Sequence, residues 1–316
     1  MDIQVNHNDV TGSYFYTKER NIFFIHGKVE TYSVNGKLHN KESMDLKVLD
    51  QKGNTIALFK GFPVKLTVYA QGKWINQVSG EELPFHLSRV CEYVFINIRQ
   101  GLRISETTIY PFFLSPSNSF KEIGQIVRNH VLCEQRKFID DARNDYIDDL
   151  NTYHSQIKPN DFGSLDYCFD WESYLICSLI YYSNTIVSLK FEDYQFTGGA
   201  HGMTYTDTMN FNVKSNGKVI LLKLRDLLLA DSGYKKLLSR LIIKALKKQG
   251  ASYVLNGQVK DIKNIDSLPF LISNQGIHFF FAPYEMGPYC QGTFDVIIPY
   301  EDIESVIDKA KLKINP

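Results

Sequence analysis

The sequence predicts an α+β protein, with antiparallel sheets packed against a few helices and an all-β unit in front of them. Three observations carry that expectation. Runs of branched and aromatic residues between glycine-containing turn pairs fill the first part of the chain. Helical apolar spacing marks the stretches after Ser119 and after Gly233. The remaining strands follow one another through hairpin turns. At 316 residues the chain is long enough for two or three cores, since domains cluster near ~100–150 residues. Three parts are expected: a β-rich sheet or partial barrel over 1–90, an α+β domain over 91–195 and a second α+β domain over 196–316.

In the first part, strands are expected over Phe23 to Tyr32, Met44 to Leu49, Thr55 to Phe59 and Val64 to Tyr69. Asn35-Gly36, Lys52-Gly53-Asn54 and Gln71-Gly72 are expected as their turns, because glycine supplies the positive φ of tight hairpins. Tyr93 to Arg99 and Arg103 to Tyr110 follow as strands, with Pro111 and Pro116 breaking the chain. Ser119 then caps a long helix whose buried face is Phe120, Ile123, Val127, Val131, Phe138, Ala142, Tyr146 and Leu150. Its length leaves room for a bend or a division before Lys158-Pro159-Asn160 ends it. The acidic residues Asp140, Asp141, Asp145, Asp148 and Asp149 read as the solvated face of that helix.

Strands resume over Tyr167 to Trp171, Ser173 to Ser183 and Thr185 to Glu192, with a hairpin around Asn184. Tyr174 to Tyr182, the densest apolar stretch, is expected as a buried strand and is too short for a membrane helix, which needs ~20 residues. Thr204 to Val213, a turn at Asn216-Gly217 and Lys218 to Leu222 make a further hairpin. Tyr234, Leu237, Leu238, Leu241, Ile242 and Ala245 form the stripe of a second helix, ended by Gly250. Strands over Pro269 to Ser273, Gly276 to Phe281 and Thr293 to Ile298 precede a closing helix over Glu301 to Lys311.

Charge and cysteine usage bound the function. The 35 basic and 35 acidic residues cancel, so nothing steers the chain toward a polyanion and nucleic acid is a poor partner. Met1-Asp2-Ile3-Gln4 shows neither a basic nor an apolar leader region. The location is therefore extracytoplasmic (periplasmic, secreted or lipid-anchored) if an export signal has been removed, and cytoplasmic otherwise. The 5 cysteines lack any CxxC pair and read as buried structural thiols, with one or two disulfides as the alternative if the protein is exported. The odd number leaves at least one thiol free unless chains pair with each other.

Two loops invite a functional reading. In Phe196-Thr197-Gly198-Gly199-Ala200-His201-Gly202, the glycines let the backbone turn a strand-to-strand corner that presents His201. The same loop is read either as a tight structural corner or as a ligand contact. It lacks the spacing of a dinucleotide fingerprint, and no HxxxH or HExxH supplies further metal ligands. Pro283-Tyr284-Glu285 and Gly287-Pro288-Tyr289 form a rigid aromatic loop, either a packed turn or a binding surface. No cofactor and no metal site is expected.

Three elements in fixed order carry a family resemblance: Tyr194 to Gly202, the Leu224 to Leu228 turn into a helix, and Phe279 to Tyr289 followed by Gly292 and Ile297-Ile298-Pro299-Tyr300. Together they resemble the C-terminal domain family, of unknown function, that includes the ectodomain of the lysozyme-sensing anti-sigma factor RsiV. Tyr110-Pro111, the long helix and the paired strands up to Glu192 resemble its partner domain, which also occurs beside the catalytic domain of the peptidoglycan deacetylase PdaC. The resemblance covers about Leu102 to Ile303 and leaves the first 90 residues outside.

It implies an exported or outer-surface location. Together with the two loops and the lack of a catalytic constellation, the leading reading is a non-enzymatic extracytoplasmic bacterial binding or sensor module, recognising a lysozyme-like protein or peptidoglycan fragments. The contacts would come from Gly198, Gly199, His201, Gly202, Tyr284, Glu285, Pro288 and Tyr289. Anti-sigma activity and deacetylation are not carried over, because no transmembrane helix, sigma-binding segment or deacetylase domain is visible. A rival reading is a glycan-acting enzyme in which His201, Glu285 and Asp207 converge on one cleft. A third is a structural or assembly component of the envelope, docking through its N-terminal sheet.

Overall fold

A computed structural model describes residues 2–6, 9–15, 22–34, 37–50, 52–65, 69–88, 90–100, 104–115, 117–156, 170–230 and 233–308. The chain divides into two compact units, Met1–Val90 and Cys91–Ile314. Antiparallel sheets dominate and few helices accompany them, an α+β architecture with a sheet unit at the N-terminus.

The first unit is an antiparallel meander in which each strand pairs with the next. Its strands are β1 (Asp2–Asn6), β2 (Asp9–Phe15), β3 (Ile22–Val34), β4 (Lys37–Leu49), β5 (Thr55–Lys65), β6 (Tyr69–Asn76) and β7 (Glu82–Ser88). Strand periodicity puts Met44, Leu46 and Val48 of β4 on one face, where they bury against Ile25, Ala57, Phe59 and Trp74. Phe85 packs edge-on against Phe59 at 5.1 Å. The Lys52-Gly53-Asn54 turn forms as expected: Gly53 takes φ 83° and the Asp50 carboxylate accepts from the Lys52 and Asn54 N–H groups.

Gln71-Gly72 corrects the reading, for it lies inside β6 rather than at a turn. Gly72 pairs with Gly61 of β5, and a Cβ at either position would collide with the opposite backbone. These glycines permit close strand approach rather than chain reversal. Asn35-Gly36 and residues 66–68 of the expected strand Val64 to Tyr69 fall outside the described residues, and β5 and β6 meet across that gap, Lys65 pairing with Tyr69.

The second unit holds a six-stranded sheet in the order β13-β12-β11-β10-β9-β8. Its strands are β8 (Cys91–Gln100), β9 (Ile104–Phe113), β10 (Trp171–Tyr182), β11 (Ile186–Phe196), β12 (Met203–Val213) and β13 (Val219–Leu221). All neighbours are antiparallel except β9 and β10. That parallel pair requires a long crossover, and α1 (Asn118–Gln156) lies within it. Phe120, Ile123, Val127, Val131, Phe138 and Ala142 of α1 are all buried, the face expected from their spacing. The 39-residue helix is continuous. Ser119 lies within its first turn and donates its hydroxyl to the Gly217 carbonyl, docking the Asn216-Gly217 turn there.

Pro111 does not break β9. β10 pairs with β9 only as far as Ile109, so the missing proline N–H removes no bond on that side. Tyr174 to Tyr182 is half-buried rather than buried: Leu175 and Cys177 face inward, while Tyr174, Ile176 and Ile180 face out. Lys158-Pro159-Asn160, Cys168 and residues 167–169 fall outside the described residues. Of the described cysteines, Cys177 is buried and Cys91 half-buried, whereas Cys133 and Cys290 are exposed, against the expectation of buried thiols.

A three-stranded antiparallel sheet, β14 (Phe270–Ile272), β15 (Gly276–Phe281) and β16 (Phe294–Pro299), packs on α2 (Tyr234–Lys248) and the one-turn α3 (Ser252–Leu255). Leu238, Ile242 and Leu246 of α2 meet Ile277, Phe279 and Val296 in one core. Asn210 of β12 joins this sheet to the larger one, because its amide mimics a strand edge. It donates to the Phe270 carbonyl at 2.7 Å and accepts from the Ile272 N–H at 2.9 Å.

Over its described residues, 301–308, the expected closing helix is instead a short 3-10 turn, Tyr300–Ile303, followed by a bridge from Ile307 to Leu228; residues 309–311 fall outside the described residues. Leu229 N–H to Val306 and Asp308 N–H to Leu227 tie this segment down as an edge. β11 and β12, on either side of residue 200, belong to one sheet.

Candidate binding site

The corner between β11 and β12 is built by glycine. Gly198 and Gly199 take φ 95° and 87°, conformations closed to most side chains, and the chain reverses with His201 exposed. Gly202 is buried because the Tyr194 ring lies over it, where a Cβ would strike the ring.

The second loop follows β15. Tyr284 takes φ 72°, the one positive φ at a non-glycine among the described residues. Such backbone costs of order 1–3 kcal/mol and persists where the surroundings enforce it. Two features enforce it. The Glu285 carboxylate accepts the Ala282 N–H at 2.7 Å, closing the turn, and Pro283 and Met286 are buried on either side. Pro288 then opens a 3-10 turn over Tyr289–Gln291. Gln291 fastens the loop to the α2–α3 corner: its carbonyl accepts from the Ser252 N–H and hydroxyl, and its NH₂ donates to the Gly250 carbonyl.

The fold brings the two loops together. The His201 ring stacks on Tyr289 with centroids 3.7 Å apart and planes 15° apart. The His201 Nδ1–H donates to the Gly202 carbonyl at 3.1 Å, which leaves Nε2 as acceptor for the Tyr284 hydroxyl at 3.1 Å in the neutral ring. The Tyr289 hydroxyl donates to the same Gly202 carbonyl at 2.9 Å. Tyr284 remains 50% exposed, so the cluster offers ring faces to solvent from a backbone that is pinned. Rings held this way lose little side-chain entropy on contact with a ligand.

The other expected site residues have different roles. Gly198, Gly199 and Pro288 shape the backbone. Glu285 is spent on its own turn. Asp207, on β12, accepts from the Thr208 N–H and stands 3.9 Å from His130 of α1. The structure thus gives His201, Glu285 and Asp207 separate partners and no shared one. Among the described residues no group of three or more His, Cys, Asp and Glu is gathered as a metal site.

Sequence reasoning missed Tyr194 and Gln291, and also a relay in the small sheet. The His278 Nδ1–H donates to Asp295 at 3.0 Å, and His278 Nε2 lies 2.9 Å from the Ser273 hydroxyl. The order Asp–His–Ser is that of acyl-transfer enzymes. Ser273, however, is 4% exposed, and its hydroxyl already accepts from the Gln275 N–H and contacts the Gly276 carbonyl. The relay therefore ties the β14–β15 turn to β16. A second buried polar group lies between sheet and α1, where Glu106 accepts from Thr108 and Gln135. Burial pushes the Glu106 carboxyl above its ordinary range, and burial does the same for nearby Asp193.

Comparison with known proteins places two matches in the second unit. Residues 104–204 match the family model of the deacetylase PdaC, and residues 225–301 match a protein family of unknown function, DUF3298. The peptidoglycan-N-acetylmuramic acid deacetylase PdaC of Bacillus subtilis is 29% identical over 143 residues, which span 43% of this chain and 30% of that protein. Among solved structures, a DUF3298 member from Bacteroides fragilis is similar at TM-score 0.49 and 18% identity, over 71% of this chain and 97% of that one. A DUF3298 protein from Pseudomonas aeruginosa is similar at TM-score 0.45 and 17% identity, over 70% and 93%.

Proposed function

We propose that the second unit is a non-catalytic, extracytoplasmic binding module associated with the cell wall, and that the His201–Tyr284–Tyr289 cluster is its contact surface for cell-wall glycan. The carrying observation is the stack of His201 on Tyr289, with Tyr284 bonded to the same imidazole, on two loops rigidified from beneath. Flat rings complement the C–H faces of sugars, while exposed hydroxyl and imidazole groups at their rim complement sugar hydroxyls. The glycan reading draws support from the match to PdaC, a protein named for its action on peptidoglycan. The commitment to binding rather than reaction rests on Glu285 and Asp207 being engaged away from His201.

Calorimetric titration of the full chain with muropeptides, and separately with lysozyme, tests the proposal. Muropeptide binding that Tyr289→Ala weakens roughly tenfold or more supports it. Heat from lysozyme alone transfers the surface to a protein partner, and silence toward both ligands overturns the reading.

A further inference from the structure

We infer that the contact surface continues from the His201–Tyr289 stack across the open face of the six-stranded sheet, as an aromatic track for an extended glycan strand. The inference rests on the glycan reading above and adds to it the length of the ligand and the residues that read it.

Strand register defines the track. Asn97, Thr107, Tyr174, Tyr194 and Thr204 stand in one row across β8 to β12. Phe95, Ile109 and Ile176 stand in the next. Their side chains share the face opposite to the one that α1 covers, since Glu106, Thr108, Leu175 and Phe191 of the alternate register are buried on the helix side. Phe95 is 65% exposed, Tyr174 41% and Ile176 37%, so large apolar side chains lie side by side in water. The same face is closed further along β11 and β12, where Lys190 lies over the Phe280 ring and Asn210 is bonded to β14. The open part is therefore bounded on that side by the smaller sheet.

Continuity with the loop cluster is direct. The Tyr174 and Tyr194 rings are 6.2 Å apart, and the Tyr194 ring lies on Gly202. The carbonyl of Gly202 receives both His201 and Tyr289. Contacts thus run from the Tyr174 and Tyr194 rings through the Gly202 backbone to the His201, Tyr289 and Tyr284 rings. Strand spacing makes the row from β8 to β12 about 19 Å long, at ~4.8 Å for each step.

The composition selects the occupant. Rings alternate with hydrogen-bonding groups: Glu172, which accepts the Tyr174 hydroxyl, and the Asn97 amide bonded to Thr107. An added peptide strand would use the backbone edge of β8 rather than this face. A linear N-acetylated glycan offers apolar sugar faces to the rings and hydroxyl and acetamido groups to the carboxylate and amide between them.

Calorimetry on the full chain with N-acetylglucosamine disaccharide, tetrasaccharide and hexasaccharide tests the track. The expected result is affinity that rises with length, roughly tenfold from disaccharide to hexasaccharide. Phe95→Ala and Tyr174→Ala, both at exposed positions, should flatten that rise, and unchanged circular dichroism confirms that each variant is folded. A hexasaccharide that binds no tighter than the disaccharide overturns the track, as does a rise that survives both substitutions. If Tyr289→Ala still weakens disaccharide binding in that case, the loop-cluster proposal stands alone. If no oligosaccharide of any length binds, the track is overturned, and the muropeptide titration decides the loop-cluster reading separately.

Discussion

Tyr284 holds a left-handed backbone that only its surroundings sustain, and that coupling of strain to exposure separates its roles. Tyr284→Gly relieves the φ 72° strain while removing the ring, so thermal stability should stay within about 1 kcal/mol of the original while ligand affinity falls. Denaturant melts paired with calorimetry check this; a large stability loss would mean that the ring serves the core. Glu106 carries the opposite logic, because it is buried and its carboxyl is pushed up from 4.5 by desolvation. A raised native value means that the folded chain holds its proton more tightly than the unfolded chain. Its contribution to stability is therefore present below about pH 4.5 and lost as pH rises through the native value. Asp193, raised from 3.8 chiefly by burial, acts in the same direction. Glu106→Gln should flatten the fall in melting temperature between acid and neutral pH, and an unchanged profile would show that Glu106 is not its source. Neither property was legible in the sequence. Glu106 reads there as one polar letter in a strand, and the positive φ of Tyr284 follows from the Glu285 bond to the Ala282 N–H and from the burial of Pro283 and Met286, which only the folded core supplies.

At the scale of elements, local pattern was informative wherever one period prevailed along a segment. The helical stripe of α1 from Phe120 to Ala142 and the hairpin around Asn184 appear as read, because apolar spacing and turn chemistry agree there; the side chains of Tyr146 and Leu150 fall outside the described residues. Reading failed where a tertiary contact decided the outcome. Gly72 marks close approach to Gly61 instead of a turn, and the segment after Ile303 extends to bridge Leu228 instead of coiling. The Ser273–His278–Asp295 relay belongs to this scale too, since Asp295 becomes a neighbour only when β16 pairs with β15. As a clamp on the β14–β15 turn, it predicts that Ser273→Ala costs about 1–2 kcal/mol of stability, from lost bonds to Gln275 and His278. Chemical denaturation measures this cost. Loss of a hydrolytic activity in that variant, with stability unchanged, would instead make the relay catalytic.

For the whole molecule, the division at Val90 predicts that denaturant unfolding proceeds in two transitions, one for each hydrophobic core. A single cooperative transition seen by both fluorescence and circular dichroism would contradict that independence. The proposed contact surface lies wholly within the second unit, where residues more than 80 positions apart in sequence meet at one carbonyl, that of Gly202. The separate loops were conspicuous in the sequence as glycine- and proline-rich interruptions, but their meeting was not, because it depends on how β12 and β15 are placed by Asn210 and the core beneath them. The most direct measurement is co-sedimentation of the full chain with purified cell-wall sacculi, comparing the unaltered protein with Tyr289→Ala. The account predicts that the unaltered protein pellets with the wall and that Tyr289→Ala, folded by circular dichroism, stays in solution. Equal pelleting of the two, or none by either, would contradict it.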